Sequence, residues 1–193
     1  MSDTSVSVSG KRKAIVRTTL TALFAALTAA GSFISIPLPF TPIPIVLTNF
    51  FVVLSGTVLG PVMGALALAL YLVAGAIGAP VFAGGTGGFA RLLGPSGGFL
   101  TGYLFAAALA GLIAGRPRAG VKTPLWRLIL AVAAGLLVVY VPGLLQLKAV
   151  TGQEWPVVIA GGFLPFLIGD GIKGAAAVLI APRLRALTAD LLD

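Results

Sequence analysis

Formal charge is nearly absent from long stretches of this chain, and that absence limits the folds open to it. Charged residues make up 9% of its 193 residues and hydrophobic residues 58%. A soluble domain carries about 25% charged residues, so this chain cannot cover a water-facing surface. A helix needs about 20 apolar residues to cross a bilayer core. Six segments meet or approach that requirement: Ala14–Ile36, Ile45–Leu59, Pro61–Gly78, Gly97–Gly115, Leu125–Leu147 and Val157–Ala181. The expectation is an all-α integral membrane protein of six transmembrane helices, a single membrane domain over residues 1–193. Residues 1–13 form a short polar N-terminus. Ala14–Ile36 is too long for a signal-peptide core and reads as a retained first span.

Charge placement supports this count. The net charge is +8, from 13 basic and 5 acidic residues. Lys11, Arg12, Lys13 and Arg17 flank the first span. Arg116, Arg118, Lys122 and Arg127 occupy the gap between spans 4 and 5. Arg183 and Arg185 follow the last. Clusters beside spans are the signature of positive-inside topology, assisted by anionic lipid headgroups. An even number of spans separates each pair of clusters, which places both termini in the cytoplasm. The stripe of interleaved basic, polar and aromatic residues that a nucleic-acid partner requires is not visible. The chain has no cysteine and no histidine, which removes thiolate chemistry, the commonest general base and the commonest metal ligand.

Three loops fall on the opposite side. The first, "PLPFTPIPIVLTN", holds Pro37, Pro39, Pro42 and Pro44 and is stiff and non-helical. The second is "APVFAGGTGGFARLLGPSGG" and the third "KAVTGQEWP". Small residues recur at four-residue spacing: Gly56, Gly60 and Gly64; Gly94, Gly98 and Gly102; Gly111 and Gly115; and, on span 1, Ala22, Ala26 and Ala30. Such rows let helix backbones approach closely in lipid. The glycine rows read as packing within the chain. The alanine row reads either so or as a face for another protein.

Within the last span, "LIGDGIKGA" carries Asp170 and Lys173, the only formal charges between Trp155 and Arg183. Spacing of three places both on one helix face. Each costs about 2.5–3.5 kcal/mol at a helix centre on insertion scales. Pairing offsets part of that, yet two apolar residues would avoid it altogether. The pair therefore reads as a polar contact set for a ligand, with a structural intramembrane salt bridge as the plain alternative. Gly169, Gly171 and Gly174 leave room beside it. In the second loop Gly85, Thr86 and Gly87 sit in a glycine run that allows close approach of backbone to a ligand. This run is neither a Walker A loop nor a dinucleotide turn. Arg91 is the loop's one charge, a snorkelling arginine or an anchor for an anionic group. Asn49 caps span 2 or binds ligand. Trp126 and Trp155 fit an interfacial belt. No catalytic set, P-loop or proton relay assembles, so the chain reads as a binding protein that depends on another source of energy and needs no cofactor.

The motifs "FTPIPIVLTNF", "GAPVFAGGTGG", "LLGPSGGFLTGY" and "GDGIKG" occur in this order. Together they make the chain, over about Ala14–Ala181, similar to the BioY family, the biotin-specific S components of energy-coupling factor (ECF) transporters. The resemblance implies a six-helix S-component fold in a prokaryotic cell membrane. It implies biotin as transported ligand, and as partners a transmembrane coupling protein and two ABC-type ATPases. Ala22 and Ala26 match an Ala-xxx-Ala row that meets the coupling protein in many S components. Asp170, Lys173 and Thr86 match site positions. Where some relatives place an arginine after "GPxGGY", this chain has Leu100, so Arg91 or Lys173 would take the biotin carboxylate. Phe40, Phe82, Phe89 and Tyr103 offer apolar walls. An S component for another vitamin, a small intramembrane enzyme and a purely structural subunit remain the alternatives.

Overall fold

The computed structural model describes residues 3–192, with side chains from Gly10 onward. Helix α1 (Asp3–Phe33) leads into a two-stranded antiparallel hairpin, β1 (Ser35–Ile36) and β2 (Ile45–Val46). Then follow α2 (Thr48–Leu59), α3 (Pro61–Ala76), the short α4 (Phe89–Leu93), α5 (Gly97–Ala114), α6 (Leu125–Thr151), the short α7 (Trp155–Gly162) and α8 (Phe166–Leu192). Six of these helices, α1, α2, α3, α5, α6 and α8, build one bundle.

Among the described residues three helices are long and apolar enough to cross a membrane: Gly10–Phe33, Gly97–Ala114 and Leu125–Thr151. The pair Trp155–Gly162 and Phe166–Leu192, bent by 41°, makes a fourth if taken as one span. The expected unbroken sixth span is therefore interrupted. Pro165 disfavours helical geometry in the residue before it, and Phe163 departs from the helix with φ −131°. The second and third spans are apolar but shorter, at 12 and 16 residues. Helix α2 tolerates its shortness because it lies inside the bundle: every residue from Val52 to Leu59 is buried. Gly60, at φ 82°, and Pro61 at the first position of α3 turn the chain sharply between them.

The glycine rows are mostly interior: Gly56, Gly60, Gly64, Gly98, Gly102 and Gly111 are buried, and Gly94 and Gly115 half-buried. A Cβ on Gly56 would come within 2.2 Å of the Ala107 carbonyl oxygen on α5, so only glycine permits this α2–α5 contact. The alanine row faces outward, with Ala22, Ala26 and Ala30 all exposed. Leu23 and Phe33 on the same helix are 48% and 60% exposed. The three basic clusters meet at one end of the bundle. Arg17, Arg116 and Leu192 line one cleft there, and Arg118, Lys122, Arg183 and Arg185 line another.

The opposite end carries the hairpin and the glycine loop. The prolines at 37, 39, 42 and 44 make the expected stiff segment, and strand pairing of Ser35 with Val46 and Ile36 with Ile45 closes it. The Ser32 hydroxyl donates to the Val81 carbonyl at 2.6 Å, tying the end of α1 to the glycine loop. Gln146 of α6 donates to the Leu92 and Gly94 carbonyls at 2.7 and 2.9 Å, fixing α4 over the bundle.

Candidate functional site

A cavity of about 370 Å³ opens between the hairpin, the glycine loop and α5. Pocket volumes for small ligands start near 300 Å³, so the space suits one small molecule. Its walls are mainly apolar: Phe33, Leu38, Ile43, Val46, Phe82, Phe99, Leu100 and Tyr103, with the hairpin prolines. Thr41, Thr86 and Ser96 supply hydroxyls, and Arg91 is the one charged residue in the lining.

Local backbone explains how the wall is made. Phe82 and Thr86 form an antiparallel bridge, with Phe82 N–H donating to the Thr86 carbonyl at 2.8 Å. Gly84 and Gly85 connect them at φ 72° and 67°, the left-handed region that costs other residues roughly 1–2 kcal/mol. The Thr86 hydroxyl donates to the Ala83 carbonyl at 3.0 Å, so the loop is held by its own hydrogen bonds. Gly87 lies against the Ala79 carbonyl. Phe82, 2% exposed, stacks edge-on to Tyr71 at 5.5 Å.

Immediately behind the Val46 wall lies a buried polar network. Lys173 Nζ is 2.5 Å from Asp170 Oδ1 and donates to the Val46 carbonyl at 3.0 Å. Asn49 Nδ2 approaches both Asp170 oxygens, at 3.2 and 3.3 Å. Tyr140 donates its hydroxyl to Asp170 Oδ2 at 2.5 Å. A carboxylate offers about four lone-pair sites, and these contacts use them. Two buried polar atoms beside the network have no partner: Asn49 Oδ1 and Thr48 Oγ1. Asn49 is 9% exposed and Thr48 1%. An unsatisfied buried acceptor costs about 1–3 kcal/mol, which a ligand donor would recover.

The structure thus brings Phe82, Thr86, Arg91 and Tyr103 together on the cavity wall. Asp170, Lys173 and Asn49 cluster as a set but do not themselves line the cavity, and Lys173 reaches it through the Val46 carbonyl. Gly85 and Gly87 shape the loop, while Gly84 provides the lining. Leu100 lines the wall, whereas Phe40 and Phe89 are outside the lining, at 64% and 61% exposure. Sequence reasoning missed Tyr140, Thr48, Thr41, Ser96 and Phe99. Tyr140 carried a readable signal, since a hydroxyl in the middle of an apolar span needs a partner.

A profile of the BioY family matches residues 4–190. The chain belongs to the BioY family. It is 41% identical over 169 residues to a probable biotin transporter BioY of Pyrococcus horikoshii, covering 88% of this chain and 96% of that one. It is 42% identical over 165 residues to the biotin transporter BioY of Thermotoga maritima, covering 86% and 93%. Its fold matches the crystal structure of the S component for biotin from an ECF-type ABC transporter with a TM-score of 0.78 and 28% identity, covering 96% and 94%. BioY membership makes the chain a transport component, not an enzyme, and its bundle an S-component fold.

Proposed function

We propose that this chain is the biotin-binding subunit of an ECF-type uptake transporter, in the cell membrane of a prokaryote. In this reading residues 1–193 form one membrane domain, with the basic end and both termini cytoplasmic and the cavity facing outward. The observation that supports it most is the juxtaposition of a small, mainly apolar cavity with a buried acid–base network, in a BioY chain. Biotin has a polar ureido ring, an apolar bicycle and tail, and a carboxylate. Its two ureido N–H groups suit Asp170 and the unpartnered Asn49 Oδ1, and its ureido oxygen suits Lys173, or Thr86 once that hydroxyl turns from the Ala83 carbonyl. Because the carboxylate of Asp170 is saturated, binding requires an exchange: a ligand N–H replaces one present donor. Lys173 is the member on a flexible stem, and releasing it from Val46 loosens the hairpin that lies over the cavity. Phe82, Phe99 and Tyr103 pack against the bicycle, and Arg91 pairs with the carboxylate in place of the arginine that Leu100 replaces.

The sequence contains no P-loop motif, and in this reading delivery is driven by partners: a transmembrane coupling protein and two ABC-type ATPases. The exposed Ala22–Ala26–Ala30 face of α1, where a partner helix can approach closely, is the proposed contact for the coupling protein. Purified protein should retain radiolabelled biotin, displaced by unlabelled biotin and not by thiamine or riboflavin. Displacement by either of those would assign another vitamin. Retention of none of the three would refute a vitamin site.

A further inference from the structure

The basic end of the bundle holds a feature that biotin binding does not use. Arg185 is 6% exposed, yet among the described residues the one ion pair is Asp170–Lys173. Its guanidinium donates instead to carbonyl groups at the C-terminal ends of α2 and α5: Thr57, Ala114 at 3.2 Å and Gly115 at 3.1 Å. Its Nε donates to Thr123 Oγ1 at 3.0 Å. These helix ends carry partial negative charge, which holds the cation without neutralising it. Of the five N–H donors of an arginine, these contacts engage four and leave one on Nη2.

A hollow of about 450 Å³ lies beside this group, lined by Arg118, Lys122, Thr123, Arg183, Arg185 and Asp190. Four cations face one carboxylate across a confined space. Their mutual repulsion is relieved when an anion enters, and basic pockets between membrane helices on the cytoplasmic side take lipid headgroups in this way. Val121 and Leu187, on the same segments, are 65% and 59% exposed and offer an apolar surface beside the charged one. We infer that this hollow is a binding site for a phosphate-bearing anion, with Arg185 as its floor and Arg118, Lys122 and Arg183 as its rim. Either the headgroup of an anionic phospholipid or free phosphate supplies that chemistry.

The test uses the full chain. Arg185 stays intact, because its loss would leave the helix-end carbonyls unpaired. The variant is R118Q/K122Q/R183Q. Protein from bilayers of mixed phosphatidylglycerol and phosphatidylcholine is extracted, and its retained lipids are counted by native mass spectrometry. Inorganic phosphate is titrated separately while thermal unfolding is followed. Each basic side chain near an anionic surface changes affinity about fivefold, so three rim cations together give a preference of about a hundredfold. Wild-type protein is expected to retain phosphatidylglycerol by that margin, and the variant to lose the preference; this result identifies lipid as the source. Stabilisation by millimolar phosphate that the variant lacks identifies free phosphate. Equal retention of both lipids with no response to phosphate overturns the site, as does a phosphatidylglycerol preference that survives in the variant. If the variant keeps both responses but loses its ATPase partners, the hollow is instead a docking surface for an acidic protein, and the anion site is overturned. Biotin binding of the variant is expected to be unchanged, so failure here is distinct from failure of the biotin reading.

Discussion

Removing Lys173 alone should destabilise the protein more than removing Lys173 and Asp170 together. In the structure the Asp170 and Lys173 side chains are 6% and 11% exposed at 2.5 Å separation, so solvent screens the pair weakly. Deleting one partner of a buried ion pair costs about 3–5 kcal/mol, because an uncompensated charge remains. Asn49 and Tyr140 still donate to the carboxylate, which places K173M near the lower end, at about 3 kcal/mol. In D170N/K173M no charge remains, and the Tyr140 hydroxyl can still donate to the asparagine oxygen. The expected cost falls to about 1 kcal/mol, the net value of one hydrogen bond. A shift of about 2–4 °C accompanies each kcal/mol in a chain of this length, so thermal unfolding of the purified proteins in lipid nanodiscs resolves the difference. Both variants are expected to lose biotin. Equal unfolding temperatures for the single and double variants would refute the coupling. Biotin retained by the double variant would refute the pair's role in binding.

Arg91→Gln should weaken biotin about tenfold, the scale of one charge-assisted hydrogen bond, while leaving the affinity for biotin methyl ester unchanged, as measured by competition binding. Gly84→Val forces a branched side chain into the left-handed backbone at φ 72°; biotin affinity is expected to fall, and the unfolding temperature to drop by about 2–8 °C, from a strain of about 1–2 kcal/mol. If the exposed small-residue face of α1 is the proposed coupling-protein contact, Ala22→Leu with Ala26→Leu leaves biotin binding intact and abolishes ATP-driven uptake, since two larger side chains fill that face.

The spans were legible because lipid imposes length and composition on each helix. The starts of α3, α5 and α6 at Pro61, Gly97 and Leu125 match the expected boundaries, since proline, glycine and a change of hydropathy mark them. Glycine and alanine rows shared a spacing, yet only the fold separates interior Gly56 from exposed Ala22. The break after Gly162 was signalled by Pro165 but was outweighed by continuous hydropathy. Asp170, Lys173 and Asn49 stood out as polar groups in apolar sequence, and they do cluster. Their separation from the cavity depends on the Val46 carbonyl of β2 meeting Lys173 from 127 residues away along the chain, which no local pattern encodes. Tyr140 joined the network from 30 residues away along the chain, and pairing at that range leaves no periodic trace.

A structure of the purified chain determined with saturating biotin tests the central claim most directly. The ligand is expected in the cavity between Thr86, Arg91 and Tyr103, with its ureido ring against Asn49 and Asp170 and the Lys173–Val46 contact exchanged. Biotin bound elsewhere, or the Asp170 network unchanged beside an occupied cavity, would contradict it.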